Sequence, residues 1–220
     1  MKVILFGATG MVGQGVLREC LLDGEVEKVL SVGRLATGQQ HAKLQEIVRP
    51  DLFDLSAVAE QLAGYDACFF CLGISGAGMK EDDYRRITYD LTMSVAATLV
   101  QSNPAMTFIY ISGSGSDSAE RSRMMWARVK GKTENDLLKI PFKAAYMVRP
   151  GYIQPLHGVR TKTAWYRAFY VVLAPLYPLL KLVPRYVTTT ECVGRAMILV
   201  ARNGYPTKIL ESSDINKVCQ

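Results

Sequence analysis

The chain opens on Lys2-Val-Ile-Leu-Phe-Gly-Ala-Thr-Gly-Met-Val-Gly13, a short apolar strand that runs directly into three glycines spaced G-x-x-G-x-x-G. An amphipathic stretch from Gln14 to about Leu22 follows and reads as a helix. A strand, a glycine turn and a helix N-terminus together bring backbone N–H groups against a dinucleotide pyrophosphate. Gly7 is expected to make the tight turn, Gly10 to admit the diphosphate to the backbone, and Gly13 to let the helix pack on the strand. Ala8, Thr9, Met11 and Val12 complete this candidate phosphate loop.

Working outward, apolar runs alternate with amphipathic stretches along the whole chain. Strands are expected at about 2–6, 28–32, 45–48, 66–71, 106–111 and 144–148, and helices near 12–22, 56–62, 82–102 and 122–139. Ala67-Cys-Phe-Phe-Cys-Leu72 and Thr107-Phe-Ile-Tyr-Ile111 are apolar on both faces, as interior parallel strands are. The expected fold is therefore α/β, a doubly wound parallel sheet (a Rossmann fold) forming one domain over 1–220. A further helix at about 189–202, capped by Thr190 or its neighbour, and a last strand at Lys208-Ile-Leu210 close it.

The 220 residues, 49% hydrophobic and 21% charged, suit one well-buried domain. A strand starting at residue 2 and five cysteines without a regular framework predict a cytoplasmic protein with free thiols. Cys68 and Cys71 read as core thiols on opposite faces of a strand, not as a redox motif. His41 and His157 lack ligand spacing, so no metal is expected. Of the net charge of +6, the telling part is an acid-free stretch between Asp136 and Glu191 holding Lys139, Lys143, Arg149, Arg160, Lys162, Arg167, Lys181 and Arg185. Such a region suits a small-molecule substrate that is anionic or partly apolar; nothing in it resembles a nucleic-acid reader. Residues 152–187 are expected to form a small helical cap, its apolar run over 164–183 broken by Arg167, Pro175, Pro178 and Lys181. A homodimer contact or a peripheral membrane contact are the other uses of that run.

The second strand ends Val29-Leu-Ser-Val-Gly-Arg34, where dinucleotide domains place either an acid for the ribose hydroxyl of NAD or an arginine for the 2′-phosphate of NADP. Arg34 predicts NADP over NAD. With Gly7-Ala-Thr-Gly10-Met-Val-Gly13, Asp51-Leu-Phe-Asp54, Cys71-Leu-Gly73, Ile111-Ser-Gly-Ser114, Val129-Lys130-Gly131 and Arg149-Pro-Gly151 in order, the chain resembles the short-chain dehydrogenase/reductase superfamily in its extended or atypical branch. Within it, the chain is similar to the group with Tat-interacting oxidoreductase-like, NmrA-like and nucleoside-diphosphate-sugar-epimerase-like members. The resemblance implies Asp51 and Leu52 by the adenine, Cys71, Leu72 and Gly73 by its ribose, and Pro150, Gly151, Tyr152 and Ile153 by the nicotinamide.

Reductases and epimerases of this superfamily use a Tyr-x-x-x-Lys pair, in which the lysine holds the ribose and lowers the tyrosine pKa for proton exchange with substrate. Here the window is Trp126-Ala-Arg-Val-Lys130. Indole donates but does not titrate in a useful range. The assisting serine position falls on Gly113, so Ser112 and Ser114 are the candidate hydroxyls beside it. Tyr84, Tyr89, Tyr152 and Tyr166 are candidate replacement acids by type, Tyr152 by position. The expected function is an NADP(H)-binding oxidoreductase or epimerase-like protein for a small carbonyl or sugar-type substrate, or a catalytically silent NADPH-binding regulatory module.

Overall fold

The computed structural model describes residues 1–159 and 185–220. Much of the expected cap, 160–184, lies outside the described residues, as do Tyr166 and four of the eight basic side chains of the acid-free stretch.

Among the described residues a seven-stranded, wholly parallel sheet runs in the order β3-β2-β1-β4-β5-β6-β9. Its strands are β1 (Lys2–Phe6), β2 (Lys28–Gly33), β3 (Leu44–Val48), β4 (Ala67–Phe70), β5 (Thr107–Ile111), β6 (Ala144–Arg149) and β9 (Ile209–Glu211). The order reverses beside β1, so the glycine turn after β1 opens at the switch point where α/β sheets take ligands. A separate two-stranded ribbon pairs β7 (Tyr152–Gln154) with β8 (Val187–Thr189).

Strand periodicity divides the core. Ile4, Phe6, Leu30, Val32, Cys68, Phe70, Phe108 and Tyr110 face one side and Val3, Leu5, Val29, Ala67, Phe69 and Ile109 the other. On the first side, Phe6, Phe70, Phe108 and Phe142 form a row of rings with centroids 5.1–6.0 Å apart, under α3 (Leu91–Ser102) and a 3-10 turn at Ser56–Leu62. On the second, α1 (Met11–Leu22) crosses α5 (Thr190–Asn203) at small residues. A Cβ on Gly15 would lie 2.6 Å from the Thr190 side chain, and one on Gly194 2.7 Å from that of Glu19.

The long helix expected over 82–102 is instead α2 (Glu81–Arg85), a single π turn (Arg86–Asp90) and α3. The helix expected over 122–139 is α4 (Met125–Leu137). Thr189, the neighbour of Thr190, caps α5, its Oγ1 accepting from Cys192 N at 3.0 Å. A last helix, α6 (Ser212–Cys219), has no counterpart among the sequence-based elements.

The expectation of free thiols is corrected: Cys192 in the first turn of α5 and Cys219 at the end of α6 form a disulfide. They are 27 residues apart, and only the packing of α6 on α5 brings them together. Cys20, Cys68 and Cys71 are free, with Cys68 in the first core face and Cys71 packed against the second. Among the described residues of the acid-free stretch, acids from outside it reach two of the basic side chains. Glu134 and Glu211 pair with Arg149, and Asp136 with Lys139.

Candidate functional site

The glycine turn is built as its spacing demands. Gly7 sits at φ +83°, a left-handed conformation that favours glycine, and a Cβ there would lie 2.7 Å from the Cys71–Leu72 peptide. Gly10 N–H donates to Gly7 O at 2.9 Å, and Gly10 caps α1 without any side-chain hydrogen bond. The first turn of α1 holds no acid, so its outward N–H groups meet neither a capping side chain nor a carboxylate. Gly13 is buried where a Cβ would come within 2.0 Å of Gly7 O. This is a cradle that fits a pyrophosphate: donors present, side chains absent, α1 pressed onto the turn.

At the end of β2, Arg34 is exposed and makes no ion pair among the described residues. Beside it is a residue that sequence reading missed. Arg49 N–H donates to Gly33 O at 2.9 Å, and its buried Nε lacks a hydrogen-bond partner among the described residues. A guanidinium nitrogen without a partner is costly unless something else satisfies it. The available signal was a second arginine one residue beyond β3, but register alone puts β3 next to β2. Asp51 is exposed and accepts from Phe53 N–H at 2.8 Å, whereas Leu52 is buried in the first core face. Leu72 is half-buried and Gly73 exposed, with open space where a Cβ would stand.

The β5 and β6 ends are laced together. Ser112 N–H donates to Val148 O at 2.8 Å and Ser114 N–H to Pro150 O at 2.9 Å. The loop after β5 is then pinned on α4, because Gly131 leaves no room for a Cβ against Asp117 O (1.8 Å), and Asp117 N–H donates to Ala127 O at 3.0 Å. Through that loop α4 is held in register with β5, and Lys130 Nζ lies 5.4 Å from the ring centroid of Tyr110. Lys130 is half-buried; burial, opposed by the Glu134 carboxylate, lowers its pKa to about 8.

The other candidates separate. Ser112 is buried with its hydroxyl 2.8 Å from that of Ser116, while Ser114 is exposed. Tyr152, on β7, donates its hydroxyl to Gln154 Oε1 at 2.8 Å, and Ile153 is buried. Tyr84 is fully buried. Tyr89 donates to Asp136 at 2.8 Å, its ring flanked by Arg85 and Lys132. That ring borders a cavity of about 310 Å³ lined also by Glu81, Arg85, Arg128 and Lys132, and among the candidate acids and cofactor residues named above only Tyr89 lines it. At the tyrosine position, Trp126 packs between two loops: a Cβ on Gly76 would lie 3.1 Å from its Cβ, and one on Gly115 would lie 3.2 Å from its indole. Among the described residues there is no cluster that could hold a metal.

Residues 7–150 match the family model described as NAD(P)H-binding, so the match begins at the first glycine of the cradle and ends at the close of β6. The chain belongs to this NAD(P)H-binding family. Among curated relatives, the protein FMP52-2, mitochondrial, of Scheffersomyces stipitis is 29% identical over 151 residues, covering 68% of this chain and 65% of that one. HTATIP2 of Rattus norvegicus is 28% identical over 156 residues, covering 69% and 62%. The chain thus spans under two thirds of the length of these relatives. Among solved structures, Bordetella bronchiseptica WbmF in complex with NAD+ aligns at a TM-score of 0.69 with 16% identity, covering 98% of this chain and 76% of that one. The UDP-N-acetylglucosamine 4-epimerase of Methanobrevibacter ruminantium M1 aligns at 0.70 with 16% identity, covering 95% and 74%. These likenesses establish the Rossmann fold that the sequence predicts.

The cytoplasmic expectation is corrected here, since FMP52-2 and further FMP52 relatives carry the designation mitochondrial in their names. No helix among the described residues is long and apolar enough to cross a membrane.

Proposed function

We propose that this NAD(P)-binding protein takes NADP(H) in preference to NAD(H) and acts as an atypical oxidoreductase or epimerase-like protein on a small carbonyl or sugar-type substrate. The observation that carries the cofactor choice is the pair Arg34 and Arg49 at the β2 edge: one guanidinium exposed and unpaired among the described residues, the other with an orphaned Nε. Two such groups suit a 2′-phosphate better than a ribose hydroxyl. Calorimetry is expected to show NADPH binding about 10- to 100-fold tighter than NADH, the size of one charge-assisted hydrogen bond. Arg34→Ala is expected to erase most of that difference, and equal affinities in the unaltered protein would overturn the assignment.

Gly7 to Gly13 would hold the pyrophosphate and Lys130 the nicotinamide ribose; when bound, the nicotinamide supplies or accepts a hydride. The proton then has to come from somewhere other than residue 126. Serine hydroxyls do not titrate in the working range, whereas Lys130, at about 8, does. The sign of the pH effect follows from its being an ammonium below that value and a neutral amine above it. NADPH affinity, and any carbonyl reduction, should therefore fall as pH rises through about 8, by roughly tenfold across two pH units, with no such step in Lys130→Met. A flat profile in the unaltered protein would remove Lys130 from the site.

Trp126 favours a second reading, a cofactor-binding regulatory module without turnover. NADPH oxidation over a panel of aldehydes, ketones and quinones decides between the two. Turnover in the range of about 1–1000 per second supports the enzyme, and none across the panel, with NADPH still bound, supports the module.

A further inference from the structure

Helix α6 lies beyond the matched family region and is tied to one place in the fold. At its N-terminal end, Ser212 Oγ accepts from Gly151 N–H at 2.8 Å, and Glu211 approaches Arg149 at 3.5 Å. One turn on, Asn216 Nδ2 donates to Val187 O at 2.7 Å. These contacts hold the β7–β8 ribbon at Gly151, just before β7, and at Val187, the first residue of β8. The ribbon is packed tightly there, since a Cβ on Gly151 would lie 2.4 Å from Tyr186 O, and Tyr152 N–H donates to that same carbonyl at 2.8 Å. At its other end α6 is bonded covalently, through Cys219 to Cys192, whose own N–H is held by Thr189 at the end of β8. Eight residues make a helix too short to persist without such ties.

We propose that the Cys192–Cys219 disulfide is a thiol–disulfide switch that sets how firmly α6 clamps the wall made by the β7–β8 ribbon at Gly151 and at Val187, and through that wall the affinity of the site for its cofactor. The link to the cofactor rests on the proposed NADP(H) function and on the family resemblance, which implies Pro150 to Ile153 beside the nicotinamide; the clamp itself does not. Cys192 and Cys219 are half-buried, within reach of a small dithiol. Cys20, Cys68 and Cys71 are not competitors, because burial pushes their thiols up, away from the reactive thiolate. In the reductive step a thiolate of the dithiol attacks one sulfur, breaking the Cys192–Cys219 bond and forming a mixed disulfide. The second thiol closes on that bond, so two electrons and two protons pass to the cysteines and the dithiol leaves as its cyclic disulfide.

The test uses the full chain, air-oxidised or treated with dithiothreitol, beside the Cys192→Ser/Cys219→Ser double variant. Peptide mapping under non-reducing conditions should find the 192–219 cross-link in the oxidised sample. Reduction should speed hydrogen exchange at Gly151, Tyr152 and the β8 amides by about tenfold or more while leaving β1 and β4 unchanged. It should also weaken NADPH binding by about three- to tenfold, with the double variant matching the reduced protein in both measurements. Unlinked thiols after air oxidation, or exchange in the wall that ignores reduction, would overturn the switch. Altered exchange with equal NADPH affinity in both states would overturn its coupling to the cofactor. If neither state binds NADPH, it is the cofactor reading that fails, while the exchange data still decide the clamp.

Discussion

Glu134→Ala is expected to cost about 3–5 kcal/mol of stability, because it strands a buried guanidinium. Glu134 is wholly inaccessible, and Arg149, only 9% exposed, donates to it through Nε at 3.0 and 3.1 Å and again through a terminal nitrogen. The remaining partners are weak substitutes: Ser118 Oγ is neutral at 2.6 Å, and Glu211 is half-exposed and 3.5 Å away. Against the roughly 5–15 kcal/mol that holds a native domain together, such a loss is a large share. Denaturant unfolding measures it. Glu134→Gln, which keeps an acceptor without the charge, should fall between the alanine variant and the parent, and a loss below about 1 kcal/mol in the alanine variant would mean that Glu211 takes over the pairing. The change should also reach the site, since Glu134 is the charge that opposes the lowering of Lys130. Without it, the pH step assigned to Lys130 should move below 8.

Whatever in this chain depends on neighbours in sequence was legible from sequence. The β1–turn–α1 unit declares itself because strand period, glycine spacing and helix period succeed one another within two dozen residues. The inner strands β4 and β5 are readable because burial on both faces makes them continuously apolar. What was hidden is what distance brings together. β7 and β8 are three residues each and pair across a gap of more than thirty, too short to show a period and too far apart to suggest a partner. The disulfide is invisible for the same reason, and an odd cysteine count even argues against it. The π turn breaks a helix whose polarity pattern continues through it, so periodicity alone joins α2 to α3.

The site divides along the same line. Trp126 in the tyrosine position is a fact of sequence, but its wedging between Gly76 and Gly115 belongs to the fold. Arg34 was readable as the residue closing β2; Arg49 becomes its companion only once β3 is laid beside β2. Ser112 stands one residue from the assisting-serine position, which falls on Gly113, and only the fold shows that it is buried with its hydroxyl 2.8 Å from that of Ser116.

Gly13→Ala should lower NADPH affinity by at least about 100-fold, some 2.7 kcal/mol, and also destabilise the fold by about 1–3 kcal/mol. The added carbon would sit 2.0 Å from Gly7 O and 2.6 Å from Gly7 C, inside any permitted contact. Relief cannot come from Gly7, which is held at φ +83° with its own back against the Cys71–Leu72 peptide. The helix has to move instead, which pulls the first-turn N–H groups off the position where a diphosphate would meet them and breaks the Gly10 N–H to Gly7 O bond that shapes the turn. Gly10→Ala separates binding from packing. Its Cβ would meet only Gly7 O, at 3.3 Å, so the fold should tolerate it while a diphosphate approaching the backbone does not. Gly24→Ala, with nothing within 4 Å and no left-handed backbone, is the control that should change neither quantity. Thermal unfolding and calorimetry on the three variants read the two effects apart. NADPH affinity within about threefold of the parent in both Gly13→Ala and Gly10→Ala would place the cofactor somewhere other than this turn.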